Sequence, residues 1–217
     1  MSPLDRLRAR VAEHPSNTWA REAGWEPLIV GTANARILIL SQAPGRLAQA
    51  SGIAFDDPSG RLLRTWMGVT DEEFWNPDLV AVLPMDAYFP GKGTSGDKPP
   101  RRDFAPRWHP LFLEQFAAVR LTIVIGGYAQ RRYLGSADVT ANVRAAESFR
   151  PMFPIVHPSP LARGWRSRNP WFIEEKVPHL RRLVGDALGR PQATVKTTST
   201  STGLSSGSTG TPTAERA

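Results

Sequence analysis

The chain has 217 residues, a length that suits one domain of ordinary size followed by a tail. It contains no cysteine, which excludes disulfides, thiolate zinc sites, cysteine nucleophiles and cysteine-held iron–sulfur clusters. Its net charge is +7, of which residues 191–217 contribute +1, so the rest of the chain carries +6 and a polyanionic partner such as nucleic acid is favoured.

The apolar runs predict four buried strands with helices between them. In chain order, the sequence predicts a helix at 1–13, a strand at 36–41, a helix at 59–67, a strand at 79–83, a helix at 105–119, a strand at 121–125, a helix at 128–134, a strand at 152–156 and a helix at 170–188. Short apolar strands that alternate with amphipathic helices are typical of a mainly parallel sheet with helices on both faces, so the predicted fold class is α/β.

Residues 191–217 are rich in Ser, Thr and Gly and nearly free of large apolar side chains. Such a segment cannot bury enough surface to offset its chain entropy, so we predict a disordered tail there and one domain at 1–190. No apolar run approaches the roughly 20 residues that a membrane span needs, and the charged N-terminus lacks the apolar region of a secretory signal. We expect a cytoplasmic protein with no membrane partner.

In an open parallel sheet, ligands bind at the carboxyl ends of the strands. Four turns follow the predicted strands, at residues 42–45, 84–86, 126–128 and 157–160. We therefore expect these turns to converge on one cleft. The four histidines of the chain have no metal-ligand spacing, so we expect neither a metal nor another cofactor.

The first two candidate segments each allow two interpretations. The turn at 41–45 (SQAPG) offers backbone N–H groups and the Gln42 amide, which can hold a water or an anion, but it also fits an ordinary tight turn. Asp56 and Asp57 precede Pro58, a pattern typical of a helix N-cap. Alternatively, one of these carboxylates is a general base and Phe55 is a stacking platform for a planar ring.

The string at 157–161 (HPSPL) places His157 where the cleft should open, on a turn that two prolines make rigid. Residues 150–169 carry four arginines and no acidic residue, which fits contact with a phosphate backbone, although a solvated basic loop has the same composition. The Gly- and Pro-rich segment 91–102, which contains Lys92, either covers a substrate and touches phosphates or is a solvated connection.

Residues 157–161 resemble the motif of the uracil-DNA glycosylase superfamily that bears a leaving-group histidine and, next to it, a leucine that wedges into duplex DNA. The turn at 41–45 resembles the water-activating first motif of that superfamily. Residues 51–68 (SGIAFDDPSGRLLRTWMG) resemble the segment that supplies its uracil-stacking phenylalanine. Residues 83–100 (LPMDAYFPGKGTSGDKPP) and 165–172 (WRSRNPWF) resemble a bacterial branch of these proteins, and the order of the segments is preserved.

The resemblance covers roughly residues 35–184 and implies a three-layer α/β/α sandwich around a short four-stranded parallel sheet. It also implies a monomer that hydrolyses the N-glycosidic bond of uracil, or of a related deaminated base, in DNA after the base has left the stack. Phe55 would stack on the flipped ring, and His157 would hydrogen-bond the uracil O2 and stabilise the departing anion. Leu161 would fill the vacated space. The other implied residues are Ala43, Pro44, Gly45 and Ser159 for substrate binding, and Pro158, Pro160, Arg163, Arg166, Arg168 and Lys92 for DNA binding.

The first motif departs from the pattern of the superfamily, because Gln42 and Ala43 stand where the best-known families have a carboxylate or an asparagine. Gln42 can position a water but is a poor general base. Asp57 resembles the carboxylate that a family with an Ala-Pro first motif uses, so we assign it the polarising role, with Asp56 as the alternative. The uracil-reading asparagine of the turn after the second strand is not evident, which leaves the base specificity open.

Two other functions are compatible with this sequence. Because the first motif lacks an acid, the same fold can serve as a non-catalytic module that binds nucleic acid. A small α/β enzyme that acts on free nucleotides or nucleosides would have the same pattern of strands and turns. Base release from a uracil-containing strand separates both from a DNA glycosylase.

Overall fold

A four-stranded parallel sheet organises residues 1–190, which are the part of the chain that the computed structural model describes. The tail predicted at 191–217 lies outside the described residues. The strands are β1 (Ile37–Ser41), β2 (Val80–Pro84), β3 (Lys92–Gly93), β4 (Gly96–Asp97), β5 (Leu121–Ile125) and β6 (Met152–Ile155). The strand order in the large sheet is β2-β1-β5-β6, and β3 and β4 form a separate two-stranded hairpin.

The four predicted strands are confirmed, and every neighbouring pair in the large sheet is parallel. The side chains of β1 alternate between two cores. Ile37 and Ile39 belong to the core on one face of the sheet, and Leu38 and Leu40 belong to the core on the other face. A parallel sheet that is covered on both faces makes three layers, so the predicted α/β/α fold class is confirmed.

Helices cover both faces of the sheet. Within the described residues they are α1 (Pro3–Glu13), α2 (Thr18–Glu22), α3 (Arg46–Ser51), α4 (Pro58–Met67), α5 (Asp71–Trp75), α6 (Phe104–Leu113), α7 (Gly126–Leu134), α8 (Val139–Arg144), α9 (Arg163–Arg168) and α10 (Val177–Leu188). α4 and α10 pack on one face, and α1, α6 and α7 pack on the other. No helix among residues 1–190 is long and apolar enough to cross a membrane.

Two helices differ from their predictions. The helix predicted at 105–119 is wrong beyond the end of α6, where several amide N–H groups bond to the carbonyl three residues back. These turns still bury Phe116, which gives the sequence a helix-like period without an α-helix. The helix predicted at 170–188 is divided into a π-helical turn (Phe172–Lys176) and α10, because Pro178 has no N–H for the regular bond to the carbonyl four residues back.

Candidate active site

A cavity of about 360 Å³ opens at the carboxyl edge of the sheet. Its wall comes from the turn after β1, the segment before α4, the β3–β4 hairpin, the first turn of α7 and the loop after β6. The structure brings together here nine of the residues that the sequence singled out: Gln42, Ala43, Pro44, Gly45, Phe55, Asp57, His157, Ser159 and Leu161.

Asp57 both caps a helix and faces the cavity. Its Oδ1 accepts a hydrogen bond from the backbone N–H of Gly60 at 2.8 Å, the N-cap arrangement for α4. Its Oδ2 is turned towards the turn after β1, since a β-carbon on Gly45 would lie 3.4 Å from this oxygen. Asp56, by contrast, is exposed and does not line the cavity. The geometry therefore favours Asp57 over Asp56 for chemistry in the cavity.

Phe55 lies on the cavity wall in an unusual backbone conformation. Its φ is +60°, in the left-handed region that bulky L side chains rarely adopt. The buried side chain of Arg64 donates from Nη1 to the Phe55 carbonyl oxygen at 3.4 Å, and the Phe74 ring meets the Phe55 ring edge-on, with 5.9 Å between the centroids. A ring held in this way presents a preformed surface to a planar ligand.

His157 follows β6 and lies directly on the cavity wall. Its ring packs against Gly126, where a β-carbon would lie 3.6 Å from the imidazole Cδ2. The Nδ1 atom is enclosed and has no hydrogen-bond partner among the described residues. Burial lowers the pKa of His157 below its ordinary value, while the nearby carboxylates of Asp57 and Asp97 oppose that shift. At neutral pH the ring is therefore uncharged, and one of its nitrogens can donate to an oxygen of a ligand.

Asp97 is a cavity residue that the sequence reasoning did not single out. Strand β4 carries it to the cavity wall, where its Oδ2 would lie 4.0 Å from a β-carbon on Gly45, the position that Asp57 also approaches. Its Oδ1 accepts from Lys92 Nζ across the hairpin at 2.8 Å. Two carboxylates thus approach one point of the turn after β1. Strands of two residues leave no apolar alternation in a sequence, so only the Gly-rich composition of 91–102 pointed to a loop over the cleft.

Asp86, in the turn after β2, points away from the cavity. Its carboxylate is completely buried and accepts from Nε and Nη2 of Arg101, each at 2.7 Å. Of the residues in this turn, Pro84 alone lines the cavity. The carbonyl oxygen of Pro84 lies 2.9 Å from Nε2 of the buried His109. The turn after β2 therefore reaches the cavity, as expected, but it contributes Pro84 and not Asp86 to the wall.

The residues that the sequence assigned to DNA binding differ in their exposure. Leu161 lines the cavity and is 80% exposed. Arg166 is half-buried and donates from Nη1 to the carbonyl oxygen of Ser159 at 3.0 Å, so it supports the loop after β6. Pro158 is buried in the same loop. The other exposed members of the set are Pro160, Arg163, Arg168 and Lys92.

Gln42 is half-buried at the end of β1, and its side chain makes no hydrogen bond with any residue of the described chain. Its amide is therefore free to hold a water in the cavity. Among residues 1–190 there is no group of three or more His, Asp and Glu side chains that could hold a metal ion.

The fold and the cavity define an α/β protein with a pocket at the carboxyl edge of a parallel sheet, lined by an aromatic ring, a histidine and two carboxylates. Residues 28–181 of the chain match the family model of the Uracil DNA glycosylase superfamily. The chain belongs to this superfamily, as its motifs indicated. Membership places it among the glycosidases of DNA repair, which act on damaged bases in DNA.

Proposed function

We propose that the protein is a DNA glycosylase that hydrolyses the N-glycosidic bond of uracil, or of a related deaminated base, in DNA. The observation that carries the proposal is the position of Phe55, Asp57 and His157 on the wall of one cavity. Its volume of about 360 Å³ lies near the lower end of the ~300–1,000 Å³ range of small-molecule pockets, which suits a single nucleotide extruded from the DNA.

Phe55 and His157 act on the base. The Phe55 ring is already held in place by its neighbours, so stacking on it costs little conformational entropy. The uncharged imidazole of His157 donates a hydrogen bond to O2 of the base. When the bond between C1′ of the sugar and the base nitrogen breaks, the electron pair stays with the base. The hydrogen bond from His157 then stabilises the developing negative charge.

Asp57 and Asp97 act on the sugar and on the attacking water. Loss of the base leaves positive charge on the sugar, which two nearby carboxylates stabilise. Gln42 positions a water that adds to C1′ and gives up one proton to Asp57 Oδ2, the carboxylate oxygen that the helix cap leaves free. The base anion takes a proton from solvent. The products are a free base and an abasic site, and the reaction uses no metal or cofactor.

The loop after β6 and the hairpin bind the DNA in this proposal. Leu161 enters the space that the extruded base leaves in the duplex, because it is exposed beside the cavity. Arg163, Arg168 and Lys92 contact phosphates, while Arg166 holds the loop in shape. A damaged base is a single asymmetric target, so we propose that the protein acts as a monomer.

An oligonucleotide with one uracil tests the proposal. Excess protein followed by alkaline cleavage of abasic sites should cut the strand, and Asp57→Asn or His157→Ala should slow the reaction by ~10²-fold or more. Asp56→Asn is the matched control, because it removes the same charge from an exposed side chain one residue away. If a uracil strand stays intact under excess protein, and strands with other deaminated bases also stay intact, the proposal is overturned.

A non-catalytic module that binds nucleic acid is the second candidate. It is favoured by one observation, the uncharged Gln42 at the turn after β1. It predicts salt-sensitive DNA binding without abasic product, unaffected by Asp57→Asn.

A further inference from the structure

A second cleft, of about 490 Å³, lies beside the candidate active site. Tyr128, in the first turn of α7, lines both depressions, so the two adjoin at this residue. Met85, which directly follows β2, also lines the cleft and places it at the carboxyl edge of the sheet. The rest of its wall consists of Pro100, Arg101, Arg102, Pro106, Arg131 and Arg132, and we call it the arginine cleft.

The charge of the arginine cleft is positive and largely uncompensated. Within the described residues, no carboxylate lines the cleft. Asp86, which does not line it, forms an ion pair with Arg101 and compensates that one charge. Arg102 and Arg131 are exposed and make neither an ion pair nor a side-chain hydrogen bond inside residues 1–190. Arg132 forms no ion pair inside residues 1–190; its Nη2 makes one long hydrogen bond, 3.5 Å to the Ala105 carbonyl oxygen, and its guanidinium lies 5.7 Å from the centre of the Tyr133 ring.

The positive charges of Arg102, Arg131 and Arg132 repel one another, and a bound polyanion reduces that repulsion. Asp103 is the acidic residue nearest to Arg102 in the sequence, but it is exposed and does not line the cleft. Its negative charge raises the pKa of Arg101. The cluster therefore has no local partner that would make it a set of structural ion pairs.

Apolar surface lies between these cations. Met85, Pro106 and Tyr128 supply it, and Tyr128 keeps 45% of its surface exposed. Sites for single-stranded nucleic acid combine cations, which follow the phosphates, with flat apolar or aromatic surfaces, on which sugars and bases rest. An isolated phosphate ion would use the cations alone.

We propose that the arginine cleft binds the phosphodiester backbone next to the target nucleotide, on the same DNA strand. The proposal rests on the proposed function, which places the target base in the adjoining cavity. Continuity through Tyr128 is the reason for choosing the same strand, because the phosphates that flank an extruded nucleotide must leave the cavity along its rim. This contact is separate from the basic loop after β6.

The test compares two double variants that each remove two exposed arginines. R102Q/R131Q removes the unpaired cations of the arginine cleft, and R120Q/R182Q removes two that line neither the cleft nor the cavity. Affinity for a single-stranded uracil oligonucleotide is measured over a series of salt concentrations. The logarithm of the binding constant falls with the logarithm of the salt concentration, and each lost phosphate contact should make this slope less steep by ~0.7. We therefore expect R102Q/R131Q to have a slope less steep by up to ~1.4 and an affinity at low salt at least ~10-fold weaker.

The control pair should keep the wild-type slope to within the effect of its change in net charge. If R102Q/R131Q binds DNA as the control pair does while the wild type releases uracil, the arginine cleft is not a DNA site and the proposed function stands. If the slope falls in R102Q/R131Q but the wild type forms no abasic product, the cleft binds DNA and the proposed function fails. Inorganic phosphate and an unlabelled single strand are also compared as competitors, at equal concentrations of phosphate groups and constant ionic strength. If inorganic phosphate displaces the DNA as effectively as the strand does, the cleft is an isolated anion site and the strand assignment is overturned.

Discussion

The backbone of Phe55 passes so close to Gly60 that a β-carbon on Gly60 would lie 1.8 Å from the Phe55 carbonyl oxygen. The same glycine donates its backbone N–H to Asp57 Oδ1 at 2.8 Å. One residue at the start of α4 therefore positions both the ring that would stack on the base and the carboxylate that would face the sugar. Only glycine allows this approach, because any other residue brings a β-carbon into the Phe55 backbone.

The first prediction is that Gly60→Ala slows the proposed release of uracil, although it removes no side chain to which the proposed mechanism gives a role. The added carbon displaces Phe55 and the Asp57 cap, and a shift of about 1 Å at a reacting group costs roughly 10²-fold in rate. Single-turnover release of uracil measures this loss. The Gly60→Ala protein should also unfold at a lower denaturant concentration, because the strained segment loses its support.

Gly185→Ala is the matched control for that substitution. Gly185 lies inside α10 and has open space where a β-carbon would be. Alanine there should keep the wild-type rate and raise the free energy of unfolding by ~0.5–1 kcal/mol, because glycine is a poor residue for a helix interior. Wild-type activity in Gly60→Ala would show that the position of Phe55 does not limit the reaction.

The sheet and most of the cavity could be predicted from the sequence because both depend on local patterns. The apolar runs of β1 and β5 end at turns with Gly or Pro, and parallel strands bring the turns at their carboxyl ends to one edge. Phe55 and His157 were found through the motifs that surround them. The place of His157 on the cavity wall follows from the position of its loop at the carboxyl end of β6, whereas Phe55 reaches the wall on the segment before α4.

The parts that the sequence did not predict depend on contacts between distant segments. Arg101, fifteen residues further along the chain, pairs with Asp86 and holds it away from the candidate active site. Nothing in the sequence around either residue indicates that pair. Asp97 reaches the cavity on a hairpin whose strands have two residues each. No periodicity exists over so short a length, so its place on the cavity wall emerges only from the folded chain.

The second prediction concerns the electrostatic effect of the two carboxylates on His157. Because the carboxylates of Asp57 and Asp97 each raise the pKa of His157 against the larger effect of burial, removing either charge should lower that pKa further. NMR titration of the His157 ring in Asp57→Asn and in Asp97→Asn measures the shift. Asp56→Asn serves as the control, since Asp56 is exposed and lies outside the cavity. A rise of the pKa in either cavity variant would contradict the assigned geometry.

The third prediction is a loss of stability in mild acid through His109. Burial lowers the pKa of His109 to about 4, so the folded protein holds the ring neutral, with its Nε2–H donating to the Pro84 carbonyl oxygen. The unfolded chain, with a histidine pKa near ~6.5, binds this proton more readily. Stability is therefore fully present above ~6.5 and falls as the pH drops from there towards 4, by up to ~1.4 kcal/mol per pH unit.

Urea unfolding of the wild type and of His109→Gln between these pH values isolates the effect. The amide of glutamine can still donate to the Pro84 carbonyl oxygen but does not titrate, so the variant should lose this part of the pH dependence. Contributions from His157 remain in both proteins and cancel in the comparison. Equal slopes in the two proteins would mean that His109 is not the group that takes up the proton.

The last prediction separates the action of Leu161 on duplex DNA from catalysis. Leu161 is 80% exposed beside the cavity, so Leu161→Ala should leave the free energy of unfolding unchanged. In the proposed function the leucine fills the gap that the extruded base leaves in a duplex, whereas a single strand has no such gap. We therefore expect a loss of ~10-fold or more in the rate on duplex substrate and a much smaller loss on single-stranded substrate. Leu113→Ala, at a partly exposed leucine outside the cavity, is the control for the loss of an apolar side chain. If Leu161→Ala slows both substrates equally, Leu161 acts in the pocket and not as a wedge between base pairs.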